Sequence, residues 1–159
     1  MEKDLDQLEQ VMSQLHRGMS RHKSWEHVAA QAGVNLDRTS AIILQLLAMP
    51  EYEHCRLHQI AEKLGIEAPS VTRKAQLLEQ VGLLKKSIDK KDARSYHLQP
   101  TKKGREVADR LREAKRSTLK TTLKNWSSED RKAFIGLLQK FADSTAALQV
   151  AQQKDIITK

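Results

Sequence analysis

Five charged side chains occupy six consecutive positions, Asp89, Lys90, Lys91, Asp92 and Arg94, broken only by Ala93. A polyanion is the natural counterpart of such a cluster. Lysines at a protruding tip can grip phosphates, each released counterion adding salt-dependent affinity. An arginine aimed by a nearby carboxylate suits a narrow minor groove, where negative potential concentrates. Lys90 and Lys91 fit the first role and Arg94 the second, with Asp89 and Asp92 orienting the tip. The plainer alternative is a solvated hairpin tip.

A second set of residues lies upstream, in PSVTRKAQLLEQV. On a helical wheel with Val71 at zero, Ala75 and Leu78 fall within about 40° and Val81 at about −80°, which predicts the buried side. Thr72, Arg73, Gln76 and Gln80 span about 100° to 200°, a polar face free of acids. Gln can pair with adenine edges and Arg with guanine edges, and either can bind phosphate. Ser70 stands at the helix start, where hydroxyl and backbone N–H groups can hold a phosphate. Lys74 falls between Leu78 and Val81 on the apolar side. Its stem can cover apolar surface while the ammonium reaches the edge, to meet a phosphate or water. The expected DNA-binding set is Ser70, Thr72, Arg73, Lys74, Gln76, Lys90, Lys91 and Arg94. A plain solvated face is the competing reading of the helix.

The elements around these residues supply the context. RLHQIAEKLG carries Leu57, Ile60, Ala61 and Leu64 at helical spacing and stops at Gly65. Pro69 can occupy the first turn of the next helix, which stops at Gly82. Two short helices and a tight turn form a helix-turn-helix signature. Residues 83–88 and 95–99 read as short strands around the charged tip, a wing. Helix pair and wing in this order are far more specific than either alone. Upstream, Leu5, Leu8, Met12, Leu15 and Met19 mark an a/d stripe on a helix over about residues 3–20, fit to pack on another helix or on a partner subunit. A second helix ends at Gly33. Asp37 is the expected N-cap of a short apolar core helix closed by Pro50. Downstream, Thr101 is the expected cap of a helix over 102–125 with a thin stripe at Val107, Leu111 and Ala114. SSED at 127–130 opens a last amphipathic helix.

The chain has 159 residues and a net charge of +8. The excess is local, with eight basic and two acidic side chains between Lys85 and Arg105, which favours an anionic partner. The one cysteine, Cys55, cannot form an internal disulfide, in keeping with a reducing cytoplasm. No apolar run approaches a membrane span, and the acidic first residues do not read as a secretory signal. Cys55 with His54 and His58 offers thiolate and imidazole, but only two of these lie one helical turn apart, so no metal is expected. No nucleophile–base pairing, glycine-rich phosphate loop or carboxylate pair stands out, so neither an enzyme nor a cofactor is expected.

The stretches QIAEKLGIEAPSVTRKAQLLEQVGLL, DKKDARSYHLQPTKKG and SSEDRKAFIGLLQKF, in that order, resemble the MarR family of winged-helix transcription regulators over roughly residues 5–150. The family's wing has an acid, two residues, an acid and usually two arginines. Asp89, Asp92 and Arg94 match, and Ala93 replaces the first arginine. Its strand-to-helix join is usually Leu-Thr-x-x-Gly. Thr101 and Gly104 match, and Pro100 replaces the leucine. Lys74 stands where the family usually has an apolar residue.

The resemblance implies a mainly α fold with a small β-hairpin wing, a winged helix-turn-helix with a helical dimerisation region. It divides the chain into N-terminal helices over 1–36 that join the dimerisation region, a DNA-binding domain over 37–100, dimerisation helices over 101–150, and a tail over 151–159 expected to fray. It implies a homodimer on a palindromic duplex, its recognition helices in successive major grooves roughly 10 base pairs apart. It also implies a repressor released by a small-molecule effector, with Met19, His22 and Trp25 near the family's ligand cleft. The family's oxidant-sensing cysteines lie near the first helix, so Cys55 does not match them. The alternative is a winged-helix protein that acts through protein contact or nonspecific DNA binding.

Overall fold

The computed structural model describes residues 1–20, 22–52, 55–88 and 96–157. The described elements are α1 (Glu2–Ser20), α2 (His22–Ala32), α3 (Arg38–Leu47), a short 3-10 turn (Pro50–Tyr52), α4 (Leu57–Leu64), α5 (Ala68–Gln80), β1 (Leu84–Ile88), β2 (Tyr96–Pro100), α6 (Lys102–Thr122) and α7 (Ser128–Ile157). They fall into two units, Met1–Thr118 and Leu119–Lys159. The described residues are mainly α with a two-stranded antiparallel hairpin, as the sequence predicts. Among the described residues no helix is long and apolar enough to cross a membrane.

The first unit is organised around α3. Asp37 caps it as predicted, its carboxylate accepting from the Ser40 amide at 3.1 Å and the Ser40 hydroxyl at 2.6 Å. The apolar run that follows leaves Ile43 and Leu44 with no exposed surface. Around it pack Ile60 and Ala61 of α4, Val71, Ala75 and Leu78 of α5, Leu84 and Leu98 of the hairpin, and Val107, Ala108, Leu111 and Ala114 of α6. Non-directional apolar burial thus gathers both helices of the helix-turn-helix and the root of the hairpin onto one core.

α1 behaves differently. Its predicted stripe is present, but Leu8 and Met12 are each 44% exposed, and Leu5 and Leu15 more so. In the second unit the Ser127 hydroxyl caps α7 by accepting from the Asp130 amide at 3.0 Å. Trp126 meets Phe134 edge to face at 5.3 Å between ring centres, a favoured aromatic geometry. Phe134, Leu137, Leu138 and Phe141 still present large exposed surface. α6 ends at Thr122 rather than Asn125, because the chain turns there: the Trp126 amide donates to the Leu123 carbonyl at 3.1 Å.

Candidate nucleic-acid interface

α4 ends at Gly65 in a left-handed conformation, and Glu67 precedes α5, with Pro69 in its first turn. Val71 and Ala75 have no exposed surface and Leu78 has 1%. Fixing that face inward turns Arg73, Gln76 and Gln80 outward, where all three are exposed. Thr72 is half-buried, and its hydroxyl donates to the Ala68 carbonyl at 2.9 Å. Ser70, also half-buried, sits in the first turn. The polar face predicted from the wheel is therefore on the surface.

Val81 departs from the prediction. It is 52% exposed rather than buried. It lies at the margin of the buried side, about 60° beyond Leu78 on the wheel. Gly82 adopts a φ of 73°, its amide donating to Glu79 and the Leu83 amide to Leu78. This closes the helix, while the Val81 amide still donates to the Leu77 carbonyl in helical register at 3.1 Å. A side chain other than glycine is disfavoured at that φ.

The same bend starts the hairpin. Leu84 pairs with Pro100, Lys85 with Gln99, Lys86 with Leu98, Ser87 with His97 and Ile88 with Tyr96. Leu84, Leu98 and Pro100 share the buried face. Lys86 lies on that same face farther out, and its ammonium reaches Glu79 of α5 at 3.7 Å. Glu79 flanks the polar face of α5, so a cation from the hairpin root answers the nearest acid. Lys85 points from the opposite face and is exposed. There the amide of Gln99 and the ring of His97 meet at 2.9 Å.

The root is locked to α6 by the predicted Thr101 and Gly104. The Thr101 amide donates to the Leu83 carbonyl at 3.0 Å. Its hydroxyl donates to the Gly82 carbonyl at 2.7 Å and accepts from the Gly104 amide at 3.0 Å. A Cβ on Gly104 would stand 2.0 Å from the Leu83 carbonyl oxygen, so the close approach of α6 demands glycine. Lys103 adds a cation here, its ammonium 3.4 Å from the Val81 carbonyl.

Lys74 projects from the apolar flank as expected, and its ammonium lies 3.0 Å from Asp37. Burial pushes the Asp37 carboxyl up, but the hydroxyl and amide of Ser40 and the ammonium of Lys74 outweigh it and hold the carboxyl below its ordinary value. The sequence marks Asp37 as a cap, but its second role, as partner to a lysine of α5, has no signal there. Lys85, Lys86 and Lys103 were visible only as part of the local charge excess.

Asp89, Lys90, Lys91, Asp92 and Arg94 of the wing tip, and His54, lie outside the described residues, as do the side chains of Met19 and His22. Trp25 is described: its indole N–H donates to the Leu36 carbonyl at 2.9 Å. It lines a cavity of about 760 Å³ with Ala29, Val34, Leu36 and Asp37. Cys55 is half-buried at the edge of the core. Lys115 of α6 is half-buried and donates to Gln45. Burial and then the nearby Arg38 charge lower its pKa.

A helix pair with an outward polar face, followed by a paired hairpin and a locked long helix, defines a winged helix-turn-helix protein. The MarR family model matches residues 38–96. A relative in Bacillus subtilis (strain 168), the uncharacterized HTH-type transcriptional regulator YxaD, is 27% identical over 106 residues, 67% of this chain and 73% of the relative. A MarR family protein from Bacillus stearothermophilus superposes with a TM-score of 0.78 at 16% identity, over 92% of this chain and 98% of that one. S. aureus MepR in a complex with DNA superposes with a TM-score of 0.66 at 18% identity, over 84% and 95% of the two chains. The stretch that matches the MarR family model runs from α3 to the start of β2.

Proposed function

We propose that the chain is a homodimeric, sequence-specific DNA-binding transcription regulator, a repressor released by a small-molecule effector. The observation that carries the reading is the face of α5. Apolar anchors at Val71, Ala75 and Leu78 hold Arg73 and Gln76 outward beside Thr72, and the adjacent acid Glu79 is answered by Lys86. Such a face suits base edges in a major groove. The hairpin root next to it carries the wing whose tip, Lys90, Lys91 and Arg94 with Asp89 and Asp92, reaches the backbone and neighbouring minor groove. MepR, solved with DNA, has the same fold.

Dimer formation is supported by the exposed apolar residues of α1 and α7, which a second copy would cover. The N-terminal helices and those after residue 101 then form the dimerisation region, and residues 37–100 the DNA-binding domain. The cavity beside Trp25 is the natural place for an effector, with Met19 and His22 nearby in sequence.

The test is a gel-shift titration against duplexes that the wild-type chain selects from a randomised pool. Arg73→Ala should erode sequence preference, and Arg94→Ala should weaken binding by about 1–3 kcal/mol. Unchanged preference in Arg73→Ala would favour nonspecific binding or a protein partner. Unchanged affinity in Arg94→Ala would remove the minor-groove role.

A further inference from the structure

Lys74 is on the flank of α5 that turns away from the exposed polar face. Its partner there is held in place. Asp37 accepts from the Ser40 amide at 3.1 Å and from the Ser40 hydroxyl at 2.6 Å as the cap of α3. α3 carries the fully buried Ile43 and Leu44, so this carboxylate is fixed to a helix anchored in the core. The Lys74 ammonium sits 3.0 Å from it, with the two side chains 32% and 47% exposed.

The buried side chains of Val71, Ala75 and Leu78 decide which face of α5 points inward, and what is left to set is the finer rotation of the helix about its own axis. A charged hydrogen bond on one flank is directional. On the other flank, farther along the helix, Lys86 holds Glu79 at 3.7 Å. We propose that Lys74 is a positioning residue: through its ion pair with Asp37 it sets the rotation of α5, and so the aim of Thr72, Arg73 and Gln76, and makes no phosphate contact of its own. This rests on the DNA-binding reading above and narrows it, because a lysine on a DNA-binding helix is otherwise the first residue to assign to a phosphate.

Salt dependence separates the two roles. The wild type, Lys74→Met, Asp37→Asn and the double variant are titrated over a range of salt concentrations against a duplex selected by the wild type. Asn preserves the helix cap while removing the charge. Exposed ion pairs are weak, so each single variant should lose about two- to fivefold in affinity. The slope of log affinity against log salt should stay at the wild-type value, and the double variant should bind no worse than either single one. A phosphate contact would instead flatten the slope by about 0.9 per contact in Lys74→Met, and Asp37→Asn would bind as well as the wild type or tighter. Either result overturns the proposal, as does unchanged affinity in both single variants.

A readout without DNA covers the case in which Lys74→Met fails to fold. In the milder Lys74→Gln, the Asp37 carboxyl, followed by NMR, should titrate at higher pH than in the wild type. An identical titration overturns the pair. Failure of the wild type to select any duplex would defeat the DNA-binding reading, and this inference with it, before any variant is compared.

Discussion

Leu44 of α3 and Leu138 of α7 are the same residue, each on a helix with apolar side chains to cover, yet the first has no exposed surface and the second is 50% exposed. The first unit supplies everything α3 needs: α4, α5, α6 and the hairpin all deliver apolar side chains to it. The stripe of α1 and the apolar residues of α7 remain on the surface. An apolar stripe shows that a helix must be covered, but not by which chain. The part that presents the polar face of α5 is packed by its own chain, whereas the helices proposed to join two copies are left incomplete in one.

The sharpest way to break this contrast is to remove residues 1–20. Sedimentation should then show a monomer or an unfolded chain, and a folded dimer would contradict the proposed interface. Next in size is Leu44→Ala, which should cost about 2–5 kcal/mol in urea unfolding, as expected for a fully buried leucine. Leu138→Ala should weaken association without a comparable loss within each protomer; equal losses would erase the distinction. Gly104→Ala tests the junction of α6 with the hairpin. A methyl group 2.0 Å from the Leu83 carbonyl must force a shift, costing about 1–3 kcal/mol of stability.

The smallest effect concerns Asp37. Its folded pKa lies below the ordinary value, which is about 3.9 for an unfolded aspartate. Its contribution is therefore present above that range and lost as pH falls through the folded value. The stability gap between wild type and Asp37→Asn should shrink below about pH 4. Thermal melts that keep the same gap down to strong acid would show that the charge of Asp37 contributes nothing.

Local rules made much of this legible. Capping needs only neighbours, so Asp37, Thr101 and Ser127 could be assigned from sequence, and each makes the bond its position requires. The buried side of α5 followed from the spacing of Val71, Ala75 and Leu78. Val81 did not, because it sits at the margin of that side and periodicity does not say how far the core reaches around the helix. Pairings between distant residues left no trace. The spacing of Lys74 predicts the edge of an apolar flank but not Asp37, and nothing in the runs around Glu79 and Lys86 announces that they meet. Thr101 and Gly104 were visible as a pattern, whereas the carbonyl of Leu83 that makes the glycine necessary was not.

That carbonyl has a mechanical consequence. Where α6 crosses the turn between α5 and β1, backbone abuts backbone, with no side chain between them to bend or change rotamer. Close-packed contacts of this kind give very little. A tilt or slide of the long helix near Gly104 is therefore passed undamped to the base of the hairpin, as through a hinge pin without slack.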